Sequence, residues 1–265
     1  MTILLLGFTV GIILALTGAG GGILAVPLLV FGAGLGLADA GPIGLMAVGL
    51  AATLGAILGL RNKTVRYKAA LLIAGAGIVC SPLGLWLAQR TPNRPLSIVF
   101  AVVLLYVAFR TFKKTLPTVT VDVPDTAPIP PCKMDDTRGK LSWTAPCAWA
   151  LAVSGMLAGS LSGLLGVGGG FVMVPALQRY TNLSAQSVVA TSLAVISLVS
   201  MSGVVASAVT GHLQWVVAIP FSGGAIAGML AGQLVVARLA GPQLQRAFAV
   251  ISALVAIALL VRALA

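Results

Sequence analysis

Two short runs carry the clearest chemical signal in the chain. They are Gly18-Ala19-Gly20-Gly21-Gly22, closed by Pro27, and Gly166-Val167-Gly168-Gly169-Gly170, closed by Pro175. A helix interior loses about 1 kcal/mol for each glycine that replaces alanine, so glycine at this density breaks a helix. Where the helix resumes, its first backbone N–H groups lack partners and the helix dipole adds positive potential. Such an end binds anions through backbone rather than through arginine. No Gly-Lys-Ser/Thr follows either run, which excludes a nucleotide phosphate loop. The expected binding set is Gly18, Gly20, Gly21, Gly22 and Pro27 with Gly166, Gly168, Gly169, Gly170 and Pro175. New half-helices are expected to begin at Ile23 and Phe171.

Hydroxyls near the runs extend the set to Thr17 and Ser162, with Ser160 beside them, and to Thr191 and Ser192 in the next apolar segment. The positions matching Thr191 and Ser192 in the first half are Ile43 and Gly44, so such a site is asymmetric. A plainer reading competes. Glycines let helices pack closely, as the pairs Gly7/Gly11 and Gly155/Gly159 do by their spacing. Hydroxyls in membrane helices often bond a carbonyl one turn back.

The remaining reactive residues exclude catalysis. An intramembrane enzyme needs a nucleophile with a base, or paired carboxylates, at membrane depth. The single histidine, His212, lies in a Gly-His-Leu-Gln-Trp turn, and the five aspartates, Asp39 among them, are read in loops or the linker. Cys80, Cys132 and Cys147 have no ligand spacing and are read as neither a disulfide framework nor a zinc site. No cofactor and no metal are expected. Cation-coupled carriers often keep a carboxylate in the membrane. An exporter of anions needs none.

These runs sit in a chain made for lipid. Of its 265 residues 59% are hydrophobic and 8% charged, against roughly a quarter charged in soluble domains. The net charge of +11 comes from bases scattered between apolar runs, so nucleic acid is not the expected partner. The lipid bilayer and a small anionic substrate are. At an offset of 148 residues the two halves match without a gap, pairing Gly7 with Gly155, Gly55 with Gly203, Gly75 with Gly223, Arg90 with Arg238 and Phe100 with Phe248. Residues 1–112 and 147–265 are thus two copies of one membrane unit, a pattern of transporter cores. The proline-rich polar stretch 113–146 reads as an extramembrane linker. Because it recurs as the segment after the linker, Ile3–Leu16 is read as membrane segment rather than signal peptide.

Each unit offers four apolar segments: about 3–31, 42–60, 67–88 and 95–112, then about 147–177, 186–210, 214–236 and 243–264. Three of each four fit one span of about 20 residues. The first is too long for one crossing and too short for two, so a glycine-broken, re-entrant helix pair is expected there. Re-entry leaves three full crossings per unit and inverts one unit relative to the other. It also sets 13 bases on the linker side, with Arg61, Lys63, Arg179 and Arg238 among them, against Arg90, Arg94 and Arg262 on the other. The positive-inside rule then places the linker in the cytoplasm. The expected fold is an all-α polytopic membrane protein of two inverted repeats.

The duplicated Gly-x-Gly-Gly-Gly-x4-Pro runs, the Ala190-Thr191-Ser192-Leu193 stretch and the Gly-His-Leu-Gln-Trp turn resemble the TauE/SafE sulfite exporter family. The resemblance implies an inner-membrane carrier for sulfite, organosulfonates or related sulfur-containing anions. It implies the glycine-proline runs and Thr191-Ser192 as the family's motif positions. Alternating access driven by the membrane potential is the expected mechanism. An anion channel and a membrane assembly factor are the alternatives.

Overall fold

The computed structural model describes residues 1–18, 20–115, 132, 134–135, 140–141, 144–209, 214–239 and 242–264. The first unit contains α1 (Thr2–Thr17), α2 (Gly20–Gly32), α3 (Leu37–Arg61), α4 (Tyr67–Arg90) and α5 (Asn93–Thr115). The second contains α6 (Ala145–Leu165), α7 (Gly170–Tyr180), α8 (Ala185–Val209), α9 (Trp215–Leu239) and α10 (Pro242–Leu264). Between them a two-residue strand β1 (Met134–Asp135) pairs antiparallel with β2 (Lys140–Leu141). The expectations for residues 116–131 of the linker and for His212 lie outside the described residues.

Each unit opens with a helical hairpin. Gly18, left-handed at φ 70°, caps α1 and donates its N–H to Leu14 O at 2.8 Å. A side chain on Gly21 would meet Leu14, and one on Gly32 would meet Leu6, so α2 runs back along α1. With 16 and 13 residues, both helices fall short of the ~30 Å hydrocarbon core at 1.5 Å per residue. In the second unit α6 ends on Gly166 at φ 71°, and Gly168 and Gly169 also take positive φ, at 76° and 68°. Three left-handed residues turn the chain tightly, and α7 returns against α6, with Gly169 on the Ala158 carbonyl. The half-helices begin at Gly20 and Gly170, not at Ile23 and Phe171, because helical geometry resumes as soon as the glycine turn ends.

Small residues govern how the units meet. Gly7 and Gly11 of α1 press on the backbone of Phe221 and Ala225 in α9. The equivalent Gly155 and Gly159 of α6 press on Ile73 and Gly77 of α4. Both pairs run parallel, and each helix of one unit contacts the counterpart of its partner in the other. Backbones that touch this closely maximise van der Waals contact, which drives helix association where lipid competes for apolar surface. Helices α3 and α8 cross the centre antiparallel, with Gly59 by Ala190, Gly49 by Ser200 and Leu45 by Gly203. Helix α5 packs on α10.

Helices α3, α4, α6, α8 and α9 are long and apolar enough to span a membrane. Their outer faces carry large apolar side chains such as Leu71, Val79, Leu83, Leu157, Val205 and Ile219. Water would make that surface costly; lipid tails do not. Arg90 stacks 4.1 Å from the Trp86 ring centroid at the end of α4, a pairing suited to the headgroup level.

Two sequence expectations need correction. Asp39 lies in the first turn of α3, not in a loop. A carboxylate there is favoured by the helix dipole. Cys132 and Cys147 form a disulfide, with Cα atoms 5.0 Å apart. Spacing gave no sign of it, because the pairing depends on where the linker returns. The Cys132 N–H donates to Tyr180 O at 3.1 Å, and Cys132 bridges to Thr181. That places it beside the start of α6 and the end of α7, across the open end of the second hairpin.

Candidate functional site

The two glycine breaks touch. A Cβ on Gly22 would strike the Val167 carbonyl, and Val48 lies 3.5 Å from the same point. Gly166 abuts Gly41, and a Cβ on Gly44 would lie 3.0 Å from Gly166 O. In the first unit Gly18 takes the corresponding place against Val189. The hairpin tips therefore converge on the central α3–α8 pair, where Thr53 and Ser197 meet at 2.7 Å. Thr53 donates to Gly49 O, also at 2.7 Å, which spends its single proton. Ser197 is then the donor between them.

The second break is completely buried from Gly166 to Gly170. Gly169 caps α7, and its carbonyl accepts from Val172 and Met173 at 3.1 and 3.3 Å. The N–H groups of Gly170 and Phe171 precede the first of these bonds and point out of the helix end. A Cβ on Gly168 would come within 3.0 Å of Ser200 Oγ. Any side chain there would fill the space between helix end and hydroxyl. Ser162, one turn before Gly166, is fully buried, and its hydroxyl has no partner among the described residues. Beside the breaks lies a small apolar cavity, lined by Ile23, Leu165, Val167 and Phe171 together with Phe100 and Leu104 of α5.

The other expected site residues make these contacts. Thr17 donates to Ile13 O at 2.7 Å and Ser192 to Val189 O at 2.8 Å. Thr191 Oγ1 accepts the backbone N–H of Arg66 at 3.1 Å, which ties α8 to the start of α4. Ser160 donates to Met156 O at 2.9 Å. Pro27 and Pro175 lie inside α2 and α7, more than a turn beyond the glycines. Ser81 and Ser200 were not singled out from sequence. Both are buried near the middle of their helices, with hydroxyls that have no partner among the described residues. Only the positions of these helices around the break reveal them. Among the described residues no cluster of His, Cys, Asp and Glu forms a metal site.

Membrane-length helices arranged with two glycine-broken hairpins around a central helix pair make a polytopic membrane protein. The chain belongs to the sulfite exporter TauE/SafE family, whose pattern it matches over residues 3–259. It is 28% identical over 240 residues to "Probable membrane transporter protein YunE" of Bacillus subtilis strain 168, covering 84% of this chain and 83% of that protein. It is also 28% identical over 255 residues to "Probable membrane transporter protein" of Xylella fastidiosa strain 9a5c, covering 95% of this chain and 91% of that one. No solved structure matches the chain.

Proposed function

We propose that this protein exports sulfite, an organosulfonate or a related small sulfur-containing anion across the inner membrane by alternating access. The observation that carries the reading is the contact between the two breaks: Gly22 meets Val167 beside the buried start of α7. A helix N-terminus facing a buried hydroxyl suits an oxyanion and repels a cation. The substrate-binding residues are the glycines of both runs with Ser162. Thr17, Thr191 and Ser192 shape the surrounding backbone.

Residues 1–112 and 147–265 act as two units of inverted orientation, joined by a cytoplasmic linker at 113–146. The antiparallel course of α3 and α8 supports the inversion, since these helices occupy equivalent places in the repeat. The distribution of bases supports the cytoplasmic side. With the interior negative, each negative charge that leaves gains about 2.3 kcal/mol per 100 mV, so the potential can drive export without a coupling carboxylate.

The test is flux of labelled sulfite, sulfate and methanesulfonate in proteoliposomes under imposed potentials of both signs. Saturable flux that follows the potential is expected. Flux indifferent to the potential would sink the driving-force reading, and flux linear in concentration would make the protein a channel.

A further inference from the structure

Several serine hydroxyls in the membrane helices are satisfied by carbonyls one turn back. Ser154 donates to Ala150 O, Ser202 to Val199 O and Ser207 to Gly203 O. Ser81, Ser162, Ser200, Ser222 and Ser252 are buried with no partner at all among the described residues. Of these five, Ser200 borders the second break, Ser162 lies one turn before it, and Ser81 lies beside Gly163 and Gly203. Ser200 Oγ lies 3.0 Å from the place a Cβ on Gly168 would take. Ser81 Oγ lies 3.4 Å from the corresponding point on Gly203, one turn along α8 from Ser200. Gly163, next to Ser162, packs on the Ser81 carbonyl.

Packing does not require serine at these places. The positions related by the 148-residue repeat are Met229, Leu14 and Ala52, all apolar. The same scaffold is thus built without hydroxyls at the matching positions. A buried hydroxyl without a partner lowers stability, so three on the helices around the second break need another reason to be there.

We propose that Ser81, Ser162 and Ser200 are hydroxyl donors to the oxygens of a sulfite or sulfonate group held at the N-terminus of α7. This rests on the anion-transport reading above. The group presents three oxygens, and each hydroxyl donates one hydrogen bond while the N–H groups of Gly170 and Phe171 supply the rest. The site is one-sided. The second break supplies the hydroxyls, and the positions matching them by the repeat are apolar.

The experiment compares Ser81→Ala, Ser162→Ala and Ser200→Ala with wild type and with Ser252→Ala, a buried unpartnered serine on α10. Concentration-dependent sulfite flux in proteoliposomes gives KM. The thermal midpoint of the purified protein, with and without sulfite, reads folding and binding separately. Each of the three variants is expected to raise KM about 10-fold, which is 1.4 kcal/mol, with an unchanged or higher midpoint without sulfite. Ser252→Ala is expected to keep the wild-type KM. Where a variant loses flux altogether, loss of the sulfite-induced midpoint shift supports the proposal and its persistence overturns it. Unchanged KM in the three variants beside an active wild type overturns the serine assignment and leaves the transport reading standing. A lowered midpoint without sulfite makes the serines structural and also overturns it. A wild type that moves none of sulfite, sulfate and methanesulfonate removes the transport reading itself.

Discussion

Gly166 and Gly41 meet backbone against backbone: a Cβ on Gly166 would fall on the Cα of Gly41. Gly166 is also left-handed, at φ 71°. Both conditions admit only glycine, and together they fix the second hairpin tip against α3.

Gly166→Ala should therefore destabilise the protein by more than about 2 kcal/mol, combining the left-handed backbone penalty with overpacking. The thermal midpoint in detergent checks this. Gly75→Ala is the contrast, because a Cβ there meets nothing within 4 Å. It should be neutral or up to about 1 kcal/mol stabilising through helix propensity. A stable Gly166→Ala would mean that the tip is not held as described.

Gly11→Val and Gly159→Val should cost similar amounts, about 2–3 kcal/mol each by overpacking. Gly11 presses on Ala225 of α9, and Gly159 on Gly77 of α4. The two contacts are repeat equivalents. Thermal unfolding of both variants tests the equivalence: a loss at one site with none at the other would break it.

The Ser197–Thr53 hydrogen bond joins α3 and α8 near their middles. Thr53→Val should cost about 0.6 kcal/mol and no more than about 1.7, the range of interhelical hydrogen bonds in membranes. A double-mutant cycle with Ser197→Ala isolates the coupling. A coupling energy indistinguishable from zero would show that the bond does not hold the pair together.

The disulfide between Cys132 and Cys147 bears on orientation. Disulfides are rare in a reducing cytoplasm, and the proposed orientation puts the linker there. In acid-trapped cells all three cysteines should accept a maleimide-polymer adduct after denaturation, and protein purified in air should accept one, at Cys80, which is free. A single adduct in acid-trapped cells would place the linker on the oxidising side and reverse the orientation.

Sequence alone determined the lipid environment, the spans to within a few residues and the two breaks. These follow from composition, periodicity and local glycine chemistry, which need no knowledge of neighbours. The hairpin was also legible, since the apolar length at residues 3–31 fits neither one crossing nor two. Tertiary structure decided what depends on contact between distant segments. Thr191 was singled out for its hydroxyl, yet that oxygen accepts the Arg66 N–H, a partner 125 residues away. Ser81 and Ser200 looked like ordinary membrane serines, because a hydroxyl normally bonds its own helix and nothing local shows that it does not. The Cys132–Cys147 bond was missed for the same kind of reason: it forms because the linker folds back to Tyr180. Local propensity writes breaks and helices into the chain, whereas which polar atoms stay unsatisfied is settled only when the two halves pack against each other.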